Sequence, residues 1–152
     1  MPTPVAHTKR KRARTDPKVE VTKPVGRALC DEGLRLRADG DAAYARGCEL
    51  CARANKRLTE ADVLHAQGGA LRAKGEQHRA RSHFVPDGDA VRAQGDRMRH
   101  EGLQNRSSAG VMREEALELS TQGEKLKALG LAHWGKANEL LADGFRKIAE
   151  EA

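Results

Sequence analysis

Aromatic residues are almost missing from this chain of 152 residues, which has one Trp, one Tyr and two Phe. A compact domain needs bulky apolar side chains to offset roughly 1–2 kcal/mol of backbone entropy for each ordered residue. Charged residues make up 33% of the chain, so few positions remain for such a core. These shortages exclude an ordinary globular domain and leave an elongated helical assembly or substantial disorder.

The chain also lacks any apolar run approaching the roughly 20 residues of a membrane span, and its N-terminus has no hydrophobic signal core. Three cysteines are an odd number that does not suit a secreted disulfide framework. We therefore expect an intracellular, reducing location and no membrane partner. No P-loop, dinucleotide-binding, nucleophile-elbow or zinc-protease motif is present, so the sequence predicts no enzyme and no cofactor.

The C-x-x-C formed by Cys48 and Cys51 lacks the further ligands that a zinc site needs. Cys30 and His65 lie 18 and 14 residues from the pair, which is tens of ångströms along a straight helix. The spacing predicts no metal site and instead small thiols buried on a helix face.

Proline is absent from two long stretches, and its positions divide the chain. Residues 1–24 contain four prolines and few apolar residues, which predicts a disordered tail that ends at Pro24. The sequence predicts two helical arms, at residues 25–82 and 88–152. Pro86 lies in the turn between them, at 83–87, where Asp87 suits the N-cap of the second arm. A softer break is expected around 105–110, where residues with poor helix propensity cluster.

Glycine, by contrast, is abundant and recurs every seven residues along both arms. The repeated positions are Gly26, Gly33, Gly40, Gly47, Gly68, Gly75, Gly88, Gly95, Gly102, Gly123, Gly130 and Gly144, with Ala54, Ala61, Ala109, Ala116, Ala137 and Ser82 completing the two series. A strict seven-residue period is typical of helices that pack along a shared line of contact. Each glycine inside a helix costs about 1 kcal/mol relative to alanine, so close approach of a second backbone must offset that cost.

The predicted fold is therefore all-α, with two long arms in an antiparallel hairpin or coiled-coil-like arrangement. The arms either fold back or extend, and a dimer or higher oligomer is expected because a single hairpin gives each arm only one partner. Three residues after most small positions comes a Leu, Met or Val, which we expect to pack beside the glycines. Alanines five residues after the small positions mark the opposite side of each arm. They either receive a second neighbouring helix or serve only as strong helix formers.

Positive charge is concentrated in the tail, where Lys9, Arg10, Lys11, Arg12 and Arg14 place five cations in six residues. A dense basic cluster on a flexible arm favours a nucleic acid or another polyanion. The same run also suits a nuclear localisation signal or contact with an acidic protein. These readings do not exclude one another.

A second basic pattern lies in the arms, where Arg92, Arg99, Arg106 and Arg113 repeat every seven residues. Asp89 and Asp96 each precede an arginine by three residues, a spacing that pairs charges along one helix. We therefore expect a solvated surface of intrahelical ion pairs rather than a phosphate-binding row.

The unit Leu-Arg-Ala-x-Gly followed by an acid occurs at 36–41 and 71–76. It resembles glycine-heptad repeats of poorly characterised proteins from bacteriophages and other viruses, over most of residues 26–144. The resemblance implies a viral structural or DNA-associated protein, although the basic tail is an addition to that pattern.

Together these features predict a non-enzymatic helical assembly protein. In this hypothesis the arms form a homo-oligomer through the small residues, while Lys9, Arg10, Lys11, Arg12 and Arg14 contact nucleic acid. The alternative is a purely scaffolding coiled coil whose tail is only a localisation signal or an acidic-protein contact. A nuclear or virion-associated location is expected if the source is eukaryotic or viral.

Overall fold

The computed structural model describes residues 23–152 and shows two long helices that fold back on each other. Helix α1 spans Val25–Arg81 and helix α2 spans Gly88–Glu151. A 3-10 turn at Ser82–Phe84 and the residues 85–87 join them. No strand occurs within residues 23–152. The all-α prediction is confirmed, and the hairpin is the arrangement that forms.

Local backbone chemistry explains where the helices begin and end. The carbonyl of Pro24 accepts a hydrogen bond from Ala28 at 3.1 Å and so opens α1. Val85 is extended, as expected for a residue before proline, and this stops the first helix. Asp87 occupies the N-cap position of α2 and its carbonyl accepts from Ala90 at 3.0 Å, but its side chain makes no capping hydrogen bond.

The helices meet through the small residues of the heptad, which pair in an antiparallel register. An ideal Cβ placed on Gly47 would lie 2.6 Å from the carbonyl oxygen of Gly123, and one on Gly75 would lie 2.5 Å from that of Gly95. We call each facing pair a layer. The layers are Gly26/Gly144, Gly33/Ala137, Gly40/Gly130, Gly47/Gly123, Ala54/Ala116, Ala61/Ala109, Gly68/Gly102, Gly75/Gly95 and Ser82/Gly88.

The core of the hairpin contains only glycine and alanine. Every buried residue within 23–152 is a member of a layer, and Ala61, Ala109, Ala116 and Ala137 are 0% exposed. The layer at the turn, Ser82/Gly88, is half-buried. Since no larger side chain is buried between the helices, close backbone packing and dispersion contacts take the place of a conventional core.

The expected break near residues 105–110 is absent, because α2 runs through this stretch without interruption. Ala109 is fully buried in a layer with Ala61, and this packing overrides the weak local helix propensity. The alanines five residues after the layers are exposed in the single chain, so α1 and α2 have no second helical neighbour on that side within residues 23–152.

Candidate interaction surfaces

Two rows of side chains border the layers and give the hairpin two different faces. Residues three positions after a layer residue lie on one side of each helix, and residues four positions after it lie on the other. Because the helices are antiparallel and paired layer by layer, equivalent rows of α1 and α2 share a face. The leucine face carries Leu29, Leu36, Leu50, Leu64, Leu71, Val91, Met98, Met112, Leu119, Leu126 and Leu140, all half-buried.

The opposite face, which we call the arginine face, changes character along its length. It carries Cys30, Arg37, Tyr44, Cys51, Leu58, His65, Arg72 and Arg79 from α1. From α2 it carries Arg92, Arg99, Arg106, Arg113, Ser120, Lys127, Trp134, Leu141 and Ile148. Arginine therefore dominates near the turn, whereas aromatic, thiol and aliphatic side chains dominate toward the free ends of the helices.

Side chains of the arginine face lie directly over the glycines of the facing helix. An ideal Cβ on Gly40 would be 2.6 Å from Cδ1 of Trp134, and one on Gly123 would be 2.6 Å from Sγ of Cys51. The sequence pattern assigned packing to the row three residues after each glycine and missed this second row. The seven-residue spacing of Tyr44 and Cys51, read together with an antiparallel register, is the signal that identifies it.

Near the free ends, the arginine face holds an aromatic pair. The rings of Tyr44 and Trp134 are 5.2 Å apart at an interplanar angle of 32°. Their separation is within the range of favourable aromatic pairs. The indole Nε1 of Trp134 is buried without a hydrogen-bond partner among residues 23–152.

The thiols of the C-x-x-C differ in their surroundings. Cys51 is half-buried, and its Sγ donates a hydrogen bond to Oε1 of Glu124 at 3.4 Å, whereas Cys48 is exposed. Burial and the neighbouring Glu124 carboxylate raise the pKa of the Cys51 thiol. The expectation of buried thiols is therefore wrong for Cys48. No cluster of three or more metal-ligating residues exists in the described part of the chain.

The arginine pairs predicted along α2 do not form. Asp96 lies 3.3 Å from Arg79 of the facing helix instead of pairing with Arg99, and Asp62 of α1 pairs with Arg113 at 2.9 Å. The stems of Arg79, Arg99 and Arg106 cross the layer toward glycines of the other helix, away from the acids on their own helix. On the arginine face near the turn, Arg92, Arg99 and Arg106 are among the arginines without an ion-pair partner within residues 23–152.

On the leucine face, whose apolar row is interrupted by Arg57, His78, Asn105, His133 and Lys147, one ion pair joins the helices. The Arg57 guanidinium donates to Oε2 of Glu115 at 2.7 Å, and this hydrogen bond raises the pKa of Arg57. Beside it lies an open groove of 610 Å³ that Val63, Leu64 and Met112 help to line. The leucine face therefore presents accessible apolar surface in the single chain.

The basic cluster of Lys9, Arg10, Lys11, Arg12 and Arg14 lies outside the described residues. Neither helix contains an apolar stretch long enough to cross a lipid bilayer, within the residues described. No protein-family model matches the chain, and no curated protein or solved structure is detectably similar to it.

Proposed function

We propose that this protein is a non-enzymatic structural unit, a rigid helical hairpin that self-associates and contacts nucleic acid through its basic tail. The observation that carries the proposal is the core itself, which holds nothing larger than alanine within residues 23–152. Such a core holds two long helices close together and leaves the larger apolar side chains on the surface. A nuclear or virion-associated role belongs to the same proposal.

Self-association in this proposal uses the leucine face. The glycine layers are already occupied by the chain's own second helix, so they are not free to receive another copy. The leucine face runs the length of the hairpin, and an equally long apolar row on a second copy matches it. Charges of both signs border it, such as Glu32 and Asp39 toward one end of α1 and Lys74 and Arg81 toward the other. A second copy in antiparallel orientation brings these opposite charges together.

The self-association test replaces three leucines of the leucine face and, as a matched control, three exposed leucines outside it. Leu50, Leu64 and Leu119 on the leucine face are changed to Gln, while the control changes the exposed Leu34, Leu103 and Leu131 to Gln. Sedimentation equilibrium of the full chain should give an oligomer for wild type and control. The leucine-face variant should approach the 16.6 kDa monomer, with helicity checked by circular dichroism. A monomeric wild type would contradict this part of the proposal.

Nucleic-acid binding by the tail rests on its charge density. Lysines and arginines that neutralise phosphates release counterions. The logarithm of the binding constant therefore falls linearly with the logarithm of the salt concentration, with a slope of about 0.9 for each phosphate contacted. Five cations within six residues are enough for several such contacts.

The tail test changes Lys9, Arg10, Lys11, Arg12 and Arg14 to Gln in the full chain. Binding to a 30-base-pair duplex is measured by fluorescence anisotropy between about 50 and 200 mM salt. The salt slope should fall by up to about 4–5, since as many as five phosphate contacts are lost. An unchanged slope would reject a tail contact and favour the scaffolding alternative, in which the tail serves localisation or an acidic protein.

A further inference from the structure

We propose that the arginine face near the turn is a second contact for a nucleic-acid duplex, made by the folded hairpin itself. We call this surface the arginine patch and define it as Arg72, Arg79, Arg92, Arg99, Arg106 and Arg113. The inference rests on the proposed nucleic-acid function but adds a surface that does not depend on the tail.

The first observation is that like charges face each other across the layers. Arg106 Cγ lies 2.9 Å from the Cβ position of Gly68, and the Arg72 backbone nitrogen lies 3.0 Å from that of Gly102, so both arginines flank one layer. Arg99 and Arg79 flank the next layer in the same way, with Cγ atoms 2.6 and 3.1 Å from the Cβ positions of Gly75 and Gly95. Like charges placed opposite each other are unfavourable unless an anion joins them.

The second observation is the distribution of acids around the patch. Among residues 23–152 three ion pairs join the helices, and two of them, Arg79–Asp96 and Arg113–Asp62, involve arginines of the patch. In the patch, acids reach Arg72, Arg79 and Arg113 but not Arg92, Arg99 or Arg106 within residues 23–152. The row one residue after the layers holds Asp62, Glu76, Asp89 and Asp96 at this end of the hairpin, with Gly69, Leu103 and Gly110 between them. The patch is thus left with unneutralised positive charge.

The third observation is an unsatisfied donor. The Nε of Arg99 is buried and has no hydrogen-bond partner among residues 23–152. Buried donors in folded proteins almost always find an acceptor. A phosphate bound to the Arg99 guanidinium, with that side chain turned outward, would supply one and would neutralise its charge, while Arg79 keeps its ion pair with Asp96.

The geometry favours a duplex over a single strand. From Arg92 to Arg113 the patch extends about 32 Å along α2, close to one turn of B-form DNA, and its layers are about 10.5 Å apart. Duplex DNA offers one phosphate per about 3.4 Å of axis on each strand, and each strand returns to the same side of the duplex once per turn, which is about the length of the patch. Single-strand binding surfaces interleave aromatic rings with basic residues. In the patch no ring does so, and the nearest aromatic side chain, Phe84, lies in the turn.

The test neutralises the arginines that have no ion-pair partner. Arg92, Arg99 and Arg106 are changed together to Gln in the full chain, and binding to a 30-base-pair duplex is measured across salt. The salt slope should fall by about 2–3, because as many as three phosphate contacts are lost. The matched control changes the exposed Arg35, Lys56 and Lys125 on the outer surface to Gln and should leave the slope within about 0.5 of wild type.

Further variants separate charge from folding. Changing Arg92, Arg99 and Arg106 to Lys keeps the charge and should preserve the slope. Replacing Gly69 and Gly110, which have open space beside them, with Lys adds two cations and should raise the slope by about 1–2. These gain variants do not disturb a layer, so they test the patch even if the Gln variant unfolds.

The outcomes also distinguish this inference from the tail contact. If the tail variant leaves the salt slope unchanged while the patch variant lowers it, the tail contact is rejected and the patch is supported. The proposal is overturned if the patch, control and gain variants all have the salt slope of wild type. It is also overturned if the chain binds no duplex. Binding of poly-glutamate that is lost in the patch variant, in a chain that binds no duplex, would also overturn the proposal. It would identify an acidic protein as the partner.

Discussion

A glycine in this hairpin has one of two surroundings, and they reverse the effect of adding a methyl group. A Cβ on Gly47 would meet a carbonyl oxygen 2.6 Å away and a backbone nitrogen 2.8 Å away, neither of which can move without shifting a helix. A Cβ on Gly69, Gly110 or Gly135 would meet nothing within 4 Å. Layer glycines are therefore needed for packing, while the other three only weaken their helices.

The matched pair Gly47→Ala and Gly110→Ala tests this difference directly. The first should lower the free energy of unfolding by about 1–3 kcal/mol because the new methyl overpacks the layer. The second should raise it by about 0.5–1 kcal/mol because alanine favours helix and nothing obstructs it. Urea unfolding followed by circular dichroism measures both, and shifts in the same direction for the two variants would contradict the layer packing.

The cysteines offer a second test at the scale of single residues. A raised pKa leaves a smaller thiolate fraction at a given pH, and the thiolate is the reactive form, so half-buried Cys51 should be alkylated more slowly than exposed Cys48 at pH 8. Glu124→Gln removes a negative charge beside Cys51 and should speed its alkylation several-fold while leaving Cys48 unaffected. Iodoacetamide labelling with mass spectrometry gives both rates, and faster labelling of Cys51 in the native chain would be inconsistent with this account.

Each helix depends on the other for its stability. Helix α1 contains seven glycines, which at about 1 kcal/mol each outweigh the modest support from surface ion pairs. Its first turn has no acidic residue and no side-chain cap, so its N-terminus gains little from local chemistry. The stability of α1 must therefore come from its contact with α2.

Isolated peptides should show this dependence. A peptide of residues 23–82 should be mostly unfolded by circular dichroism, as should one of residues 86–152, because each lacks the facing backbone that offsets its glycines. Mixed at equal concentration, the two should regain helicity together. A strongly helical 23–82 peptide on its own would mean that propensity rather than layer packing holds the helix.

The sequence predicted the helices and their small-residue contact because a seven-residue period of glycine has no other ready explanation. It also located the break at Pro86, since proline fixes its own backbone and that of Val85. The row containing Cys51 and Trp134 could not be assigned to packing from one helix alone. Its role appears only when the connection from Ser82 to Gly88 fixes which layers face each other.

The same limit applies to the charges. Local spacing predicted a pair between Asp96 and Arg99, whereas the structure pairs Asp96 with Arg79 at 3.3 Å across the hairpin. An ion pair between helices depends on their register and on the direction in which the arginine stems cross the layer. Neither property can be determined from the spacing along a single helix.

At the scale of the whole molecule, the hairpin of two long helices has two unlike faces. Helix α2 alone has 64 residues and is about 96 Å long. One face is mostly apolar, and the other carries the arginine patch near the turn. A hairpin of this kind suits assembly along the leucine face while the arginine patch and the tail remain available for a polyanion.

The measurement that tests the hairpin most directly is a spin-label distance between Leu34 and Asn138. Both are exposed and each follows a member of the Gly33/Ala137 layer by one residue. In a chain whose native cysteines are changed to Ser, labels at these sites should lie within about 30 Å, since packed helix axes are about 8–10 Å apart. The short distance should persist when labelled protein is diluted with unlabelled protein, because it arises within one chain. Loss of the short distance on dilution, or a separation near the ~150 Å of extended arms, would contradict the hairpin.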